Sequence, residues 1–345
     1  MRAVVYADVG QVRVDDVPDP TLERDDDALI GVTRAAICGS DMHFFHGKAP
    51  LYPGEPMGHE AVGVVEDVGP RVTRFRPGDR VVASFTVACG ACWFCRNGRS
   101  ALCDEAAIFG TGLFGGELPG TQAERLRVPH ADVNLLAIPD EVDDERAVFV
   151  ADIATTARYV AGLAAPTADE TVAVVGAGPV GLLVAQALVR TGAAVVALDR
   201  EDARLAAAEG WGAAPVHVDR RNPQMALASV TGDRGADVAI DAVGSPSAFA
   251  TAVDVTRRGG RVVVAGMYAG ETIDLQLGTY WIRGLDLRFA GVCPIHAHWD
   301  ATMDDVATGR LDPTVLVSHR LALDEAQRGY ELFDRREATK VILTP

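Results

Sequence analysis

Between residues 172 and 183 the chain reads Val172-Ala-Val-Val-Gly-Ala-Gly-Pro-Val-Gly-Leu-Leu, a β-branched run followed by three glycines and the start of an apolar helix. A strand that turns sharply into a helix needs one glycine for the turn. It needs a second where backbone must come close to a pyrophosphate, and a third where the helix packs on the strand. Gly176, Gly178 and Gly181 fill those places. Pro179 and Val180 stand at the first helical positions, where proline's fixed φ is already suitable and no N–H is required. The chain has 35 glycines, so the triplet alone is a weak signal and its surroundings decide.

From Thr171 onward, apolar strands and helical stretches alternate. The expected strands are Val172–Val175, Val195–Asp199, Val216–Val218, Val238–Asp241 and Val262–Ala265, with helices beginning near Val180, Asp202, Met225 and Ser247. Such alternation predicts an α/β region with a parallel, doubly wound sheet that binds a dinucleotide. The second strand ends on Asp199, and an acid there accepts hydrogen bonds from both ribose hydroxyls and repels a 2′-phosphate. NAD is therefore expected over NADP, with Arg200 and Arg204 as nearby cofactor contacts that pull the other way. Flavin is the alternative dinucleotide, which the metal ligands below disfavour.

Residues 1 to about 150 have a different texture: short β-branched runs broken by Gly, Pro and Asp, such as Arg80-Val-Val-Ala-Ser and Arg125-Leu-Arg-Val-Pro, as in a mostly β domain with long loops. Met1-Arg-Ala-Val-Val-Tyr-Ala alternates like a strand and lacks the features of an export signal. Mixed character returns after about Arg288. The late segment Lys340-Val-Ile-Leu reads as a short strand whose partner is expected in the first domain.

Four of the six cysteines fall in Cys89-Gly-Ala-Cys92-Trp-Phe-Cys95-Arg-Asn-Gly-Arg-Ser-Ala-Leu-Cys103. Without an export signal, that clustering favours metal over disulfides. Four thiolates give zinc a closed tetrahedral shell, which organises a loop and does no chemistry. A nucleic-acid zinc ribbon would show two separated Cys-x-x-Cys knuckles in a basic surround. Here the formal charge is −16, and the scattered Lys and Arg residues are outnumbered, which argues against a nucleic-acid partner. No apolar stretch is long enough to cross a bilayer, so a soluble cytoplasmic protein with no membrane partner is expected.

Two further segments lie upstream: Ile37-Cys38-Gly39-Ser40-Asp41-Met42-His43 and Met57-Gly58-His59-Glu60. Each alone is weak, since a Cys after an apolar run is usually core and a His-Glu pair usually surface. Taken with the four cysteines, the dinucleotide segment and the closing Lys340-Val-Ile-Leu, they form a set that resembles the zinc-containing medium-chain alcohol dehydrogenases over essentially the whole chain. The resemblance implies a GroES-like, mostly β catalytic domain formed by residues 1–153 and 292–345, with a structural zinc lobe at about 85–110. Residues 154–291 would form a Rossmann domain.

The resemblance also implies two zinc ions per chain, one structural on Cys89, Cys92, Cys95 and Cys103, and one catalytic on Cys38, His59 and Asp152. Liver-type enzymes carry a Cys where this chain has Asp152, and the polyol branch usually reads Glu-Pro in this segment. An Asp resembles the bacterial secondary-alcohol and formaldehyde-dehydrogenase-like branches. One thiolate, one imidazole and one carboxylate still offset the charge of zinc. Glu60 is implied as a residue near the zinc, either a ligand or a neighbour, and Asp41 as the partner of the far nitrogen of His59.

The implied reaction moves a hydride between an alcohol and NAD, with zinc acting as a Lewis acid on the substrate oxygen. Ser40 and His43 match the family's proton relay, Phe85 a position lining the substrate pocket, Thr156 one facing the nicotinamide, and Gly266 with Met267 positions near its carboxamide. Leu118-Pro-Gly-Thr-Gln-Ala-Glu and Val128-Pro-His-Ala-Asp-Val-Asn resemble the formaldehyde-dehydrogenase-like branch, so oxidation or dismutation of aldehydes is the alternative activity. A non-enzymatic nucleotide-binding relative would usually have lost metal ligands. The family further implies a small-molecule substrate and a homodimer or homotetramer.

Overall fold

The computed structural model describes residues 1–112, 118–268, 270 and 272–345. The chain divides into two compact units, Met1–Thr155 with Cys293–Pro345, and Thr156–Val292.

In the unit Thr156–Val292, the strands Thr171–Val175, Ala194–Asp199, Ala214–His217, Ala236–Asp241, Thr256–Val264 and Asp286–Phe289 form one parallel sheet. Numbered along the chain, their spatial order is 3-2-1-4-5-6. The order reverses beside the first strand, which lies between Ala194–Asp199 and Ala236–Asp241. Ligands of open α/β sheets bind at this switch point, beyond the carboxyl ends of the strands. Every residue of Thr171–Val175 is buried, as continuous β-branched runs require in a sheet covered on both faces.

The helices Pro179–Val189, Pro223–Thr231 and Pro246–Val255 each begin on proline. Asn222 and Ser245 cap the last two by accepting from the amides of Met225 (3.1 Å) and Ala248 (3.3 Å). The fifth strand begins at Thr256, six residues before the apolar run that marks it in the sequence. Its first half, Thr256-Arg-Arg-Gly-Gly-Arg, carries no apolar signal and pairs through backbone with a register shift opposite Ala236–Val238.

The other unit is built on an antiparallel-rich sheet ordered Val317–Ala322, Lys340–Thr344, Ala28–Ile37, Glu60–Val68, Arg80–Ala83 and Leu135–Ala137, with Arg125–Val128 also paired to Ala28–Ile37. The late strand Lys340–Thr344 runs antiparallel to Ala28–Ile37, with Val341 opposite Ile37. On the other side of Ala28–Ile37, Ala36 faces Glu60. This register gathers Cys38, His59, Glu60 and Lys340 at one end of the sheet. Strand Arg2–Asp8 does not alternate as its sequence suggests, because both its faces are covered: Val4 joins the main core, while Ala3 and Val5 pack with Ala123 in a second cluster. No single helix among the described residues is long and apolar enough to cross a membrane.

Candidate metal centres and dinucleotide site

Cys38, His59, Glu60 and Asp152 are all buried, and each offers one donor atom within 4.8 Å of the other three. Cys38 follows the strand Ala28–Ile37, His59 precedes Glu60–Val68, and Asp152 follows the tight helical turn Val148–Ala151. Asp152 Oδ2 lies 3.7 Å from Cys38 Sγ and 3.3 Å from His59 Nε2. One thiol, one imidazole and two carboxylates facing one another inside the protein form a donor set suited to a divalent ion of borderline softness. Glu60 Oε2 pairs with the buried ammonium of Lys340, while Glu60 Oε1 is buried and has no hydrogen-bond partner among the described residues. An orphaned carboxylate oxygen beside three donors fits a cation that the polypeptide does not itself supply.

A chain of buried hydrogen bonds holds these donors. Asp41 Oδ1 is 3.0 Å from His59 Nδ1, so the imidazole's other nitrogen, Nε2, faces Asp152. Asp41 Oδ2 accepts from the Cys38 amide at 2.9 Å and from Gln122 Nε2 at 3.3 Å. Gln122 Oε1 in turn accepts from the Tyr330 hydroxyl at 2.9 Å. Burial opposes a charge on His59, yet Asp41 and then Cys38 raise its pKa well above the ordinary value. Burial also opposes the Lys340 ammonium, and Glu60 followed by Cys38 outweighs it, so Lys340 is held charged.

Ser40 Oγ lies 3.3 Å from His59 Nε2, facing the donor atoms. His43 is half-buried on the short helix Asp41–Phe45, with its amide donating to the Ser40 carbonyl at 3.1 Å. The buried ring of Phe85 meets that of His59 edge-on at 6.2 Å.

The second cluster is Cys89, Cys92, Cys95 and Cys103, whose sulfurs also lie within 4.8 Å of one another. Cys92 Sγ and Cys103 Sγ are 3.9 Å apart. Zinc–sulfur bonds of about 2.3 Å give a tetrahedron with edges of about 3.8 Å, so four thiolates at this spacing enclose zinc without rearrangement. Backbone amides already point at the sulfurs: Cys89 and Glu105 donate to Cys103, and Ala91 and Cys92 donate to Cys89. The Cys95 amide, then that of Asp104, hold the Cys92 thiol down to about 6. Asn134 ties the lobe to the sheet, accepting from the Ala88 amide and donating to the Ala88 carbonyl.

In the unit Thr156–Val292 the three glycines sit in different surroundings. Gly176 has φ +94°, and a methyl group on Gly181 would sit 1.9 Å from the Gly176 carbonyl oxygen, so helix and strand meet there with no room for a side chain. Gly178 differs, since the nearest atom to a methyl there would be an Arg204 nitrogen 4.0 Å away. Its open face, beside half-exposed Pro179 and Val180 at the helix start, fits a pyrophosphate. Asp199 ends the second strand, with Oδ2 accepting from the Ala177 amide at 2.6 Å and Oδ1 from the amides of Arg200 and Glu201. Arg204 reaches to 4.0 Å from Asp199, while the Arg200 side chain is exposed. Thr156 is half-buried near the start of the helix Ile153–Ala164, and Gly266 and Met267 follow the fifth strand, also half-buried.

Residues 24–140 match the family described as the alcohol dehydrogenase GroES-like domain, and residues 179–307 match the zinc-binding dehydrogenase family. A zinc-type alcohol dehydrogenase-like protein of Bacillus subtilis is 37% identical over 380 residues, covering all of both chains. The alcohol dehydrogenase TADH of Thermus sp. ATN1 superposes with a TM-score of 0.95 at 42% identity, covering 100% of this chain and 99% of that one. This chain is a zinc-type medium-chain alcohol dehydrogenase. A third relative, a zinc-binding dehydrogenase from Sinorhizobium meliloti solved with NADP, superposes with a TM-score of 0.87 at 29% identity, covering 100% of this chain and 99% of that one.

Sequence reading missed three residues of this dehydrogenase's metal-centre surroundings. Lys340 was legible in principle, since it is one of only two lysines and opens an apolar strand that has to be buried. Gln122 and Tyr330 left no such sign, because their link to Asp41 joins a loop and two helices far apart in the chain.

Proposed function

We propose that this alcohol dehydrogenase oxidises a small or secondary alcohol with NAD and carries two zinc ions, one on Cys38, His59 and Asp152 and one on the four cysteines. The observation that carries this reading is the buried mixed donor set with the orphaned Glu60 Oε1. Zinc bound there supplies Lewis acidity to the substrate oxygen. The chain's own residues do the rest. Asp41 fixes the tautomer of His59, and Ser40 Oγ takes the alcohol proton towards His43 and solvent. Glu60, held by Lys340, adds negative charge beside the donors without being committed as a ligand.

NAD is favoured by the Asp199 carboxylate at the strand end, with Arg204 as the counterweight. Self-association as a dimer or tetramer is supported by an uncovered apolar face. Trp281 (84% exposed) and Ile282 (77%) lie on the helix Leu277–Arg283, and Phe289 (66%) on the terminal strand of the parallel sheet. A cytoplasmic location is supported by six cysteines that form no disulfide among the described residues, four of them gathered as metal donors, as in a reducing compartment.

The deciding experiment is an activity screen over primary, secondary, cyclic and polyol substrates and formaldehyde, with both cofactors. Turnover of short secondary alcohols with NAD supports the reading, and turnover restricted to formaldehyde replaces it with the aldehyde-oxidising alternative. Asp199→Gly should move the NAD-to-NADP preference by about tenfold or more, and unchanged selectivity would remove Asp199 from the argument. Sedimentation of the native protein reports the assembly state.

A further inference from the structure

Asp241 ends the fourth strand of the parallel sheet and is completely buried. Among the described residues only neutral groups hold it: Oδ1 accepts from the amides of Val243 (3.0 Å) and Gly244 (3.1 Å), and Oδ2 from the hydroxyl of Tyr268 (2.7 Å). A carboxylate buried without a cation is costly, so its retention at a strand end beside the switch point calls for a reason. The loop it fastens supplies one. A methyl group on Gly176 would lie 2.4 Å from Val243 Cγ2, and one on Gly181 3.3 Å from Ala242 Cβ. On the other side, methyl groups on Gly244 and Gly266 would lie 2.2 Å from the Met267 carbonyl oxygen and 2.0 Å from the Gly244 nitrogen. Residues 242–245 are thus wedged between the glycine turn and the segment Gly266–Met267. The Tyr268 hydroxyl, next in the chain, also lies 3.0 Å from the Ser245 carbonyl oxygen.

We propose that Asp241 and Tyr268 are positioning residues for the dinucleotide. They lock the loop Ala242–Ser245 and thereby fix the distance between the turn that receives the pyrophosphate and the segment assigned to the carboxamide. This rests on reading the unit as a nicotinamide dinucleotide site. Asparagine can reproduce every bond, its oxygen accepting from Val243 and Gly244 while its amide donates to Tyr268 Oη, whose proton then goes to Ser245. Alanine cannot.

The test is the dissociation constant of NADH and NADPH for the zinc-loaded protein, read by quenching of tryptophan fluorescence and by calorimetry, alongside melting temperature. Asp241→Ala should weaken binding of the preferred dinucleotide by about 10- to 100-fold, Tyr268→Phe by about 3- to 10-fold, and Asp241→Asn by less than about threefold. Tyr268→Phe removes one hydroxyl from a half-exposed ring, so its binding is measurable even if Asp241→Ala fails to fold. Wild type that binds with Tyr268→Phe unchanged, or with Asp241→Asn as damaged as Asp241→Ala, overturns the positioning role alone. Wild type that binds neither dinucleotide overturns the reading of the site, and the proposal with it.

Discussion

The two donor clusters of the unit Met1–Thr155 with Cys293–Pro345 are assembled in opposite ways. The four cysteines come from one short lobe, with Cys89 and Cys103 separated by 14 positions. The mixed cluster joins Cys38 to Asp152 across 114 positions and Glu60 to Lys340 across 280. A loop-built shell of four identical donors would close on an ion and leave nothing for a substrate. The sheet-built set takes unlike donors from separate elements, holds them by a hydrogen-bonded chain through Asp41, Gln122 and Tyr330, and leaves one carboxylate oxygen uncommitted. Closure stabilises a lobe, whereas incompleteness leaves room for chemistry.

That contrast can be broken experimentally. The largest effect should come from Cys38→Ser, which is expected to lower turnover at least about a thousandfold while leaving the melting temperature nearly unchanged; near-normal activity would end the assignment. Next is Lys340→Met, which leaves Glu60 buried without its cation and should destabilise the protein by about 3–5 kcal/mol. The double variant Glu60→Gln/Lys340→Met should recover most of that loss in a denaturation series, and failure to recover would mean that Lys340 acts through packing. Cys103→Ser should do the reverse of Cys38→Ser, lowering the melting temperature by several degrees while the molecules that remain folded keep turnover within about threefold.

The smallest effect concerns His296, part-buried behind the cysteine lobe with Nε2 2.8 Å from Asn134 Oδ1. Burial pushes its pKa down to about 4. A histidine depressed in the folded state favours the fold fully above its unfolded value of about 6.5, and that contribution is lost as pH falls from there towards 4. Discounted for partial exposure, the loss between pH 7 and 5 should be about 1 kcal/mol. His296→Asn should flatten the pH dependence of unfolding by that amount, and an unchanged slope would reject the linkage.

The same contrast explains which features are legible in the amino-acid sequence. The expected strand Val172–Val175 starts within a residue of the observed Thr171–Val175, because buried parallel strands are runs of β-branched residues bounded by glycine. The helix starts expected near Val180, Met225 and Ser247 fall one or two residues inside the observed Pro179, Pro223 and Pro246, and the four-cysteine lobe is legible because all its donors are neighbours in sequence. The polar half of Thr256–Val264 was invisible, because backbone pairing alone makes it a strand. Cys38, His59 and Asp152 could be linked only through resemblance to a family. The pairing of Glu60 with Lys340 depends on strand register between distant segments, and that of Gln122 with Tyr330 on a loop meeting a helix 208 positions away, neither of which periodicity encodes.

The strand that carries Lys340 also sets a timetable. Synthesis at about 5–20 residues per second separates Glu60 from its cation by roughly 15–60 s. Through that interval the nascent chain already holds Cys38 and His59, and later Asp152, while the stretch Ala35–Ile37 lacks the strand that pairs with it. Contacts of such wide sequence separation form slowly as a rule, and an edge that waits for its strand is open to edge-to-edge association.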